Sequence, residues 1–124
     1  MEVKKTAVGL ASFTLKRVGR FSVTTSGDNH CGTDNNLKIA YNLEVRCTAD
    51  SLDARGFLFN QMDVDRWFQK QTSTALSCEQ YTIFCGRAIY KLIRKDNPVC
   101  RIEVFRLTLS PAPHAAELTF SYGE

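Results

Sequence analysis

The densest group of chemistry-bearing side chains is His30-Cys31 with Asp28 just before it. Together they offer an imidazole, a thiol and a carboxylate to a metal ion, or an imidazole base to a thiol nucleophile. Both chemistries make demands that this segment meets badly. Adjacent residues in a polar loop diverge instead of converging on one ion, and an exposed loop thiol lacks the positive field that would ionise it. The second histidine, His114, is remote in sequence. No metal and no cofactor is therefore expected. Glu103 and Arg106 interrupt an apolar strand pattern; at a subunit interface they would meet polar ligand groups, and on a free surface they would form an ordinary ion pair. Ser77, three residues before Gln80, reads as a capping box, and Glu79 in the same turn suits the helix dipole. The free N–H groups of such a helix start favour an anion, to which Arg106 would add a permanent charge.

The elements that must position these residues are legible from periodicity. Leu37, Ile39, Tyr41, Leu43, Val45 and Cys47 alternate with Lys38, Asn42, Glu44 and Arg46, which is the signature of a strand with one face buried. Phe13, Leu15, Phe21 and Val23 around Gly19 predict a long first strand with a bend or bulge at the glycine. The Ser-, Gly-, Asp- and Asn-rich segment 25–36 joins the two as a hairpin loop. A short strand is expected at Gly56–Phe59. A helix follows, with Val64, Trp67 and Phe68 at i, i+3 and i+4 and Asn60 or Asp63 as its cap. The helix begun at Ser77 carries one apolar stripe of Tyr81, Phe84, Cys85, Ala88 and Leu92 and a second of Ile83, Gly86, Tyr90 and Ile93, so one covering sheet does not account for all of its apolar surface. After Asn97-Pro98, the apolar phase shifts from Cys100, Ile102 and Val104 to Phe105, Leu107 and Leu109, by a bulge or by burial on two sides. A final strand alternates Ala116, Leu118, Phe120 and Tyr122 with polar residues. The expected fold is α+β: an antiparallel sheet in ββααββ order with both helices on one face.

At 124 residues the chain is expected to be a single domain, 1–124. The net charge of +3 is dispersed in short basic groups, so nucleic acid is not indicated. The five cysteines form an odd set without a C-x-x-C pair and read as reduced thiols. No apolar run is long enough to cross a membrane, and the Met-Glu-Val-Lys-Lys start has no apolar signal core behind it. A cytoplasmic location is expected.

The element order, together with Tyr41-Asn-Leu-Glu-Val45, Gly56-Phe-Leu-Phe-Asn60, Asp65-Arg-Trp67 and Ser77-Cys-Glu-Gln80, resembles the 6-pyruvoyl tetrahydropterin synthase and 6-carboxytetrahydropterin synthase family from about Phe21 to Phe120. The resemblance implies the tunnelling fold, whose subunits join sheets edge to edge into a barrel. It also exposes what is missing. The family's zinc histidines would fall near Thr25 and at Leu37 and Ile39, and its pterin-anchoring glutamate at about Leu107. Its Asp-His relay segment has no counterpart between Gln69 and Ser77, and Cys31 is displaced from the nucleophile's spacing. Zinc bound by imidazoles cannot be replaced by aliphatic side chains, nor a carboxylate that pairs with a pterin edge by leucine. Ser77-Cys-Glu-Gln80 keeps the pattern that lies beside the ligand pocket in the family. The resemblance therefore implies a diverged, metal-independent homo-oligomer that binds a small planar or acidic metabolite between subunits through Ser77, Glu79, Glu103 and Arg106. The alternatives are a zinc-independent cyclase, isomerase or lyase using Glu79, Glu103, Arg106 or Tyr41, and a protein interaction module.

Overall fold

The computed structural model describes residues 11–25, 36–48, 50, 52–111 and 115–121. Strand β2 (Asn36–Thr48) follows the alternation read from the sequence: Ile39, Tyr41, Leu43, Val45 and Cys47 are buried, and Lys38, Asn42 and Arg46 are exposed. On one side it pairs with β1 (Ser12–Thr25), in unbroken antiparallel register from Ser12↔Thr48 to Thr24↔Asn36. On the other it pairs with β4 (Ile102–Pro111), also antiparallel, and β4 pairs with β5 (Ala116–Ser121).

Between the helices lies a two-residue strand, β3 (Ser73–Thr74), parallel to the end of β1 and anchored by the Thr24 N–H on the Thr72 carbonyl at 2.8 Å. The sheet order is β3-β1-β2-β4-β5. The expected antiparallel ββααββ arrangement is thus a mixed sheet in ββαβαββ order, because the connection between the helices adds to the edge of β1 as it passes.

Two local expectations are corrected, and an alternative left open by the sequence is resolved. Gly19 sits opposite Tyr41 in a continuous register, so no bulge forms there. The segment Gly56–Phe59 is a turn, not a strand. There the Asp53 carboxylate accepts the Arg55 and Phe57 N–H groups, Gly56 takes φ +87°, and Leu58 and Phe59 drop into the core. The phase change in β4 is the bulge: Arg46 faces Val104 but Cys47 faces Ile102, leaving Glu103 as the extra residue.

Helix α1 (Gln61–Gln69) starts at Asn60, whose side chain accepts the Met62 N–H at 3.0 Å, and buries Val64 and Phe68. Helix α2 (Cys78–Asp96) starts with the capping box, the Gln80 N–H donating to Ser77 Oγ at 3.1 Å and the Ser77 N–H to Gln80 Oε1 at 3.2 Å. Both helices cover the same sheet face. Phe68 stacks on Tyr41 at 4.0 Å between centroids, and Tyr90 meets Phe105 edge-on at 5.6 Å. The buried stripe of α2 is Tyr81, Thr82, Cys85, Gly86, Ile89 and Ile93, which takes members from both apolar stripes and leaves Ile83 and Phe84 exposed at 40% and 49%. Asn97, buried at the end of α2, donates to the Leu58 carbonyl at 2.9 Å and pins the 53–59 turn beneath the helix. No helix among the described residues is long and apolar enough to cross a membrane.

Candidate functional site

The most tightly coupled polar group in the described chain sits where β1, β2 and α1 meet. The Tyr41 ring lies across Gly19, close enough that a Cβ there would stand 2.4 Å from its hydroxyl oxygen. That hydroxyl donates to Asp65 Oδ1, and Arg17 donates through Nε to the same oxygen at 3.2 Å and through Nη2 to Asp65 Oδ2. Arg17 Nη1 reaches Gln61 Oε1 at 3.4 Å. The Arg17 hydrogen bond, with burial opposing and Tyr41 assisting, holds the Asp65 carboxyl below its ordinary range. Asp65 in turn raises the Arg17 guanidinium, and burial followed by the Asp65 hydrogen bond raises the Tyr41 phenol.

The chemical consequence is restrictive. A carboxylate with depressed basicity is a weak base at neutral pH, and a phenol with a raised pKa is a weak acid. The cluster fastens α1 to the sheet, with Tyr41 as an anchor. Sequence reasoning named Tyr41 as a possible acid, base or anchor and Asp65 only within the Asp65-Arg-Trp67 stretch, and it missed Arg17. The signal was its parity: Arg17 lies between Leu15 and Gly19 on the inward-facing set of β1, where a charge requires a partner.

The helix-free face carries a second charged network. Glu44 lies 3.9 Å from Lys16 Nζ and 3.5 Å from Arg106 Nη1, and Arg106 Nε lies 3.5 Å from Glu117. At the bulge, Glu103 accepts from Ser12 Oγ at 2.7 Å and pairs with Arg46 at 3.2 Å. Glu103 and Arg106 are therefore on this face, each already in an ion pair. Ser77 is occupied by the capping box and Glu79 is exposed in the first turn of α2, on the opposite side of the sheet. Within one chain the four expected site residues fall into two separate pairs.

Three of the four described thiols are held protonated, and Cys100, the exception, is buried. Burial pushes Cys85 up to about 12 and raises Cys78. Cys47 and Cys100 are buried and hydrogen-bonded to each other, which raises Cys47 and lowers Cys100. His30, Cys31, His114, Tyr122 and most of the 25–36 loop lie outside the described residues. Among the described residues no three His, Cys, Asp or Glu side chains gather as metal ligands do.

Ile39 is 3% exposed and Leu107 is 0% exposed, and Leu37 packs against the same cluster. A mixed sheet backed on one face by two helices, with a charged network on the other, defines an α+β domain. The chain is similar in structure to the 6-pyruvoyltetrahydropterin synthase of Plasmodium vivax. Two solved structures of catalytic-residue mutants of that enzyme match with TM-score 0.60 at 7% identity, covering 90% of this chain and 99% of theirs. A third structure of the enzyme matches with TM-score 0.53 at 7% identity, covering 90% of this chain and 98% of its own. No family model and no curated protein matches the sequence. The chain thus has a 6-pyruvoyltetrahydropterin synthase-like fold.

Proposed function

We propose that this chain is a diverged pterin-synthase-like domain without the zinc-dependent reaction, acting as a homo-oligomer that binds a small planar or acidic metabolite between subunits. The observation that carries this reading is Leu107, fully buried where the resemblance puts the pterin-anchoring carboxylate. An ionised carboxylate there would be uncompensated in the core, so the position now contributes to packing and not to recognition. Ile39 argues in the same direction for a zinc ligand.

Support for an oligomer comes from the sheet edges. Among the described residues β3 covers only Thr24 and Thr25 of β1, and β5 pairs only with β4. Open edges of this length are templates for another strand. Because Ser77 and Glu79 are separated from Glu103 and Arg106 within one chain, a site using all four takes one pair from each of two copies. The helix-start N–H groups and Arg106 would then favour an acidic or carbonyl-rich ligand. Calorimetry of the purified chain against pterins, purines and small carboxylates tests this. Carboxylate binding lost in Arg106→Ala and altered in Glu79→Ala is expected; tight pterin binding, or carboxylate binding indifferent to both substitutions, refutes it.

A further inference from the structure

We propose a second site, separate from the one above: a notch at the β1 edge that binds the phosphate group of a small phosphorylated molecule. Arg20, Ser22 and Lys38 form its sheet side, and Gln71 and Thr72 from the α1–β3 connection form its rim, around a cavity of about 480 Å³. The notch exists because the edge of β1 is capped on both sides of one residue. Gln69 Nε2 donates to the Arg20 carbonyl at 2.9 Å, and the Thr24 N–H donates to the Thr72 carbonyl at 2.8 Å. Period-two alternation turns the backbone groups of Ser22, midway between them, toward the same edge. The Ser22 N–H is therefore a donor that opens into the cavity.

Charge gives the notch its ligand class. Arg20 faces Ala40 and Ser22 faces Lys38 across the β1–β2 ladder, so Arg20 and Lys38 are diagonal neighbours on one face. Both are exposed, and neither has a carboxylate partner among the described residues. No acidic side chain is among the described residues lining the cavity. Two like charges at diagonal positions repel, and an anion between them relieves that repulsion. A phosphate monoester matches on two counts. Its charge of about −1.5 to −2 balances the two cations, and its three terminal oxygens can take the guanidinium, the ammonium and the Ser22 N–H together. The hydroxyls of Ser22 and Thr72 add further donors.

The test is an amide-resolved NMR titration of the full chain with inorganic phosphate at constant ionic strength, with sodium acetate and a short single-stranded RNA as comparison arms. Saturable shifts centred on the Ser22 and Thr72 amides are expected. Affinity should fall about tenfold in Arg20→Gln and in Lys38→Gln, since each removes a charge-assisted contact, and be unchanged in Lys91→Gln on the exposed side of α2. Shifts that never saturate, that spread over the basic residues in general, that acetate reproduces equally, or that only the RNA elicits would overturn the proposal, as would a loss in Lys91→Gln equal to that in Arg20→Gln. Arg106→Ala, which tests the interface site, leaves this titration unaltered, so the two readings fail separately.

Discussion

Gly19→Ala and Gly86→Ala present nearly the same clash on paper and should give opposite outcomes. A Cβ at Gly19 would stand 2.4, 2.5 and 2.6 Å from three atoms of the Tyr41 ring; one at Gly86 would stand 2.3 Å from Leu118 Cδ2, with the next Leu118 atom at 3.5 Å. What differs is whether the obstacle can move. Tyr41 is stacked on Phe68, flanked by Phe21 and tied through its hydroxyl to Asp65. Forcing it aside costs about 1–3 kcal/mol for overpacking and about 1.5–3 kcal/mol for the hydrogen bond to a charged acceptor. Relief of the glycine entropy penalty returns about 0.5–1 kcal/mol. The net expectation for Gly19→Ala is a loss of about 1.5–5.5 kcal/mol. At Gly86 the obstacle is one methyl at the end of a partly exposed leucine, which can change rotamer, while alanine gains about 0.8–1 kcal/mol of helix propensity. Gly86→Ala should therefore lie within about 1 kcal/mol of the parent in either direction. Urea denaturation followed by fluorescence is suited to this, because the only tryptophan, Trp67, lies on α1 against Phe68 at 5.3 Å. All variants are compared at one protein concentration, since self-association would add its own term. A Gly19→Ala variant as stable as the parent, or a Gly86→Ala variant as damaged as Gly19→Ala, would refute the argument that the mobility of the neighbour sets the sign.

Three further outcomes are expected. Because Asp65 has a lowered folded-state pKa, its contribution to stability is complete above the unfolded carboxyl value of about 3.9 and is lost as pH falls below it. Asp65→Asn should thus cost about 1–3 kcal/mol at neutral pH and converge with the parent in acid; parallel stability curves from pH titration of urea midpoints would contradict this. Cys47, Cys85 and Cys100 are buried, so native-state iodoacetamide should leave all three unlabelled by peptide mass analysis until denaturant is added; rapid native labelling of Cys85 would contradict its packing. Val18 is 68% exposed and, on the parity of Arg20 and Thr24, turns its N–H to the outer edge of β1, so Val18→Pro should spare the β1–β2 ladder yet dissociate an edge-joined oligomer. Light scattering that finds the parent monomeric, or the variant still fully assembled, counts against edge joining.

The sequence was most readable where one local force decided the structure. β2 alternates strictly because only one of its faces is covered, and the Ser77–Gln80 capping box is satisfied by residues three apart in sequence. It was least readable where a distant partner decided. Gly19 looked like a bend because glycine weakens strands; its actual role depends on Tyr41, 22 positions away in sequence but directly opposite in the register. Gly56–Phe59 has the apolar character of a strand but is a turn because Asp53 captures the backbone N–H groups ahead of any ladder. Strand β3 is two residues long, too short for periodicity to mark it, and exists because the edge of β1 is open beside it. The candidate site followed the same division. Glu103 and Arg106 were visible as charges in an apolar run, but their partners Arg46 and Glu44 on β2 and Glu117 on β5 follow only from the register.

The burial of Leu107 and Ile39 also bears on how such a domain could keep a binding function. Replacing buried polar or ionic groups with well-packed aliphatic side chains is neutral or stabilising, so a pocket that no longer runs its reaction can be absorbed into the core. Once absorbed, it is not easily reopened, because exposing a site there means giving up aliphatic packing of about 1.5–3 kcal/mol per side chain. On the function proposed above, recognition would then use surfaces that the core does not need. On the readings proposed above those are the helix-free face, where Arg106 and Glu103 are held in ion pairs that a partner or ligand could exchange, and the edge of β1, where Arg20 and Lys38 are held in none among the described residues. The two differ in what binding must break. At Arg106 an incoming anion competes with Glu44 and Glu117, so affinity there should rise when Glu117→Gln removes one competitor; at the β1 notch no carboxylate has to be displaced, and the same substitution should leave phosphate binding unaltered. An increase at both sites on Glu117→Gln, measured by the two titrations side by side, would show that net charge and not local pairing governs anion binding to this fold.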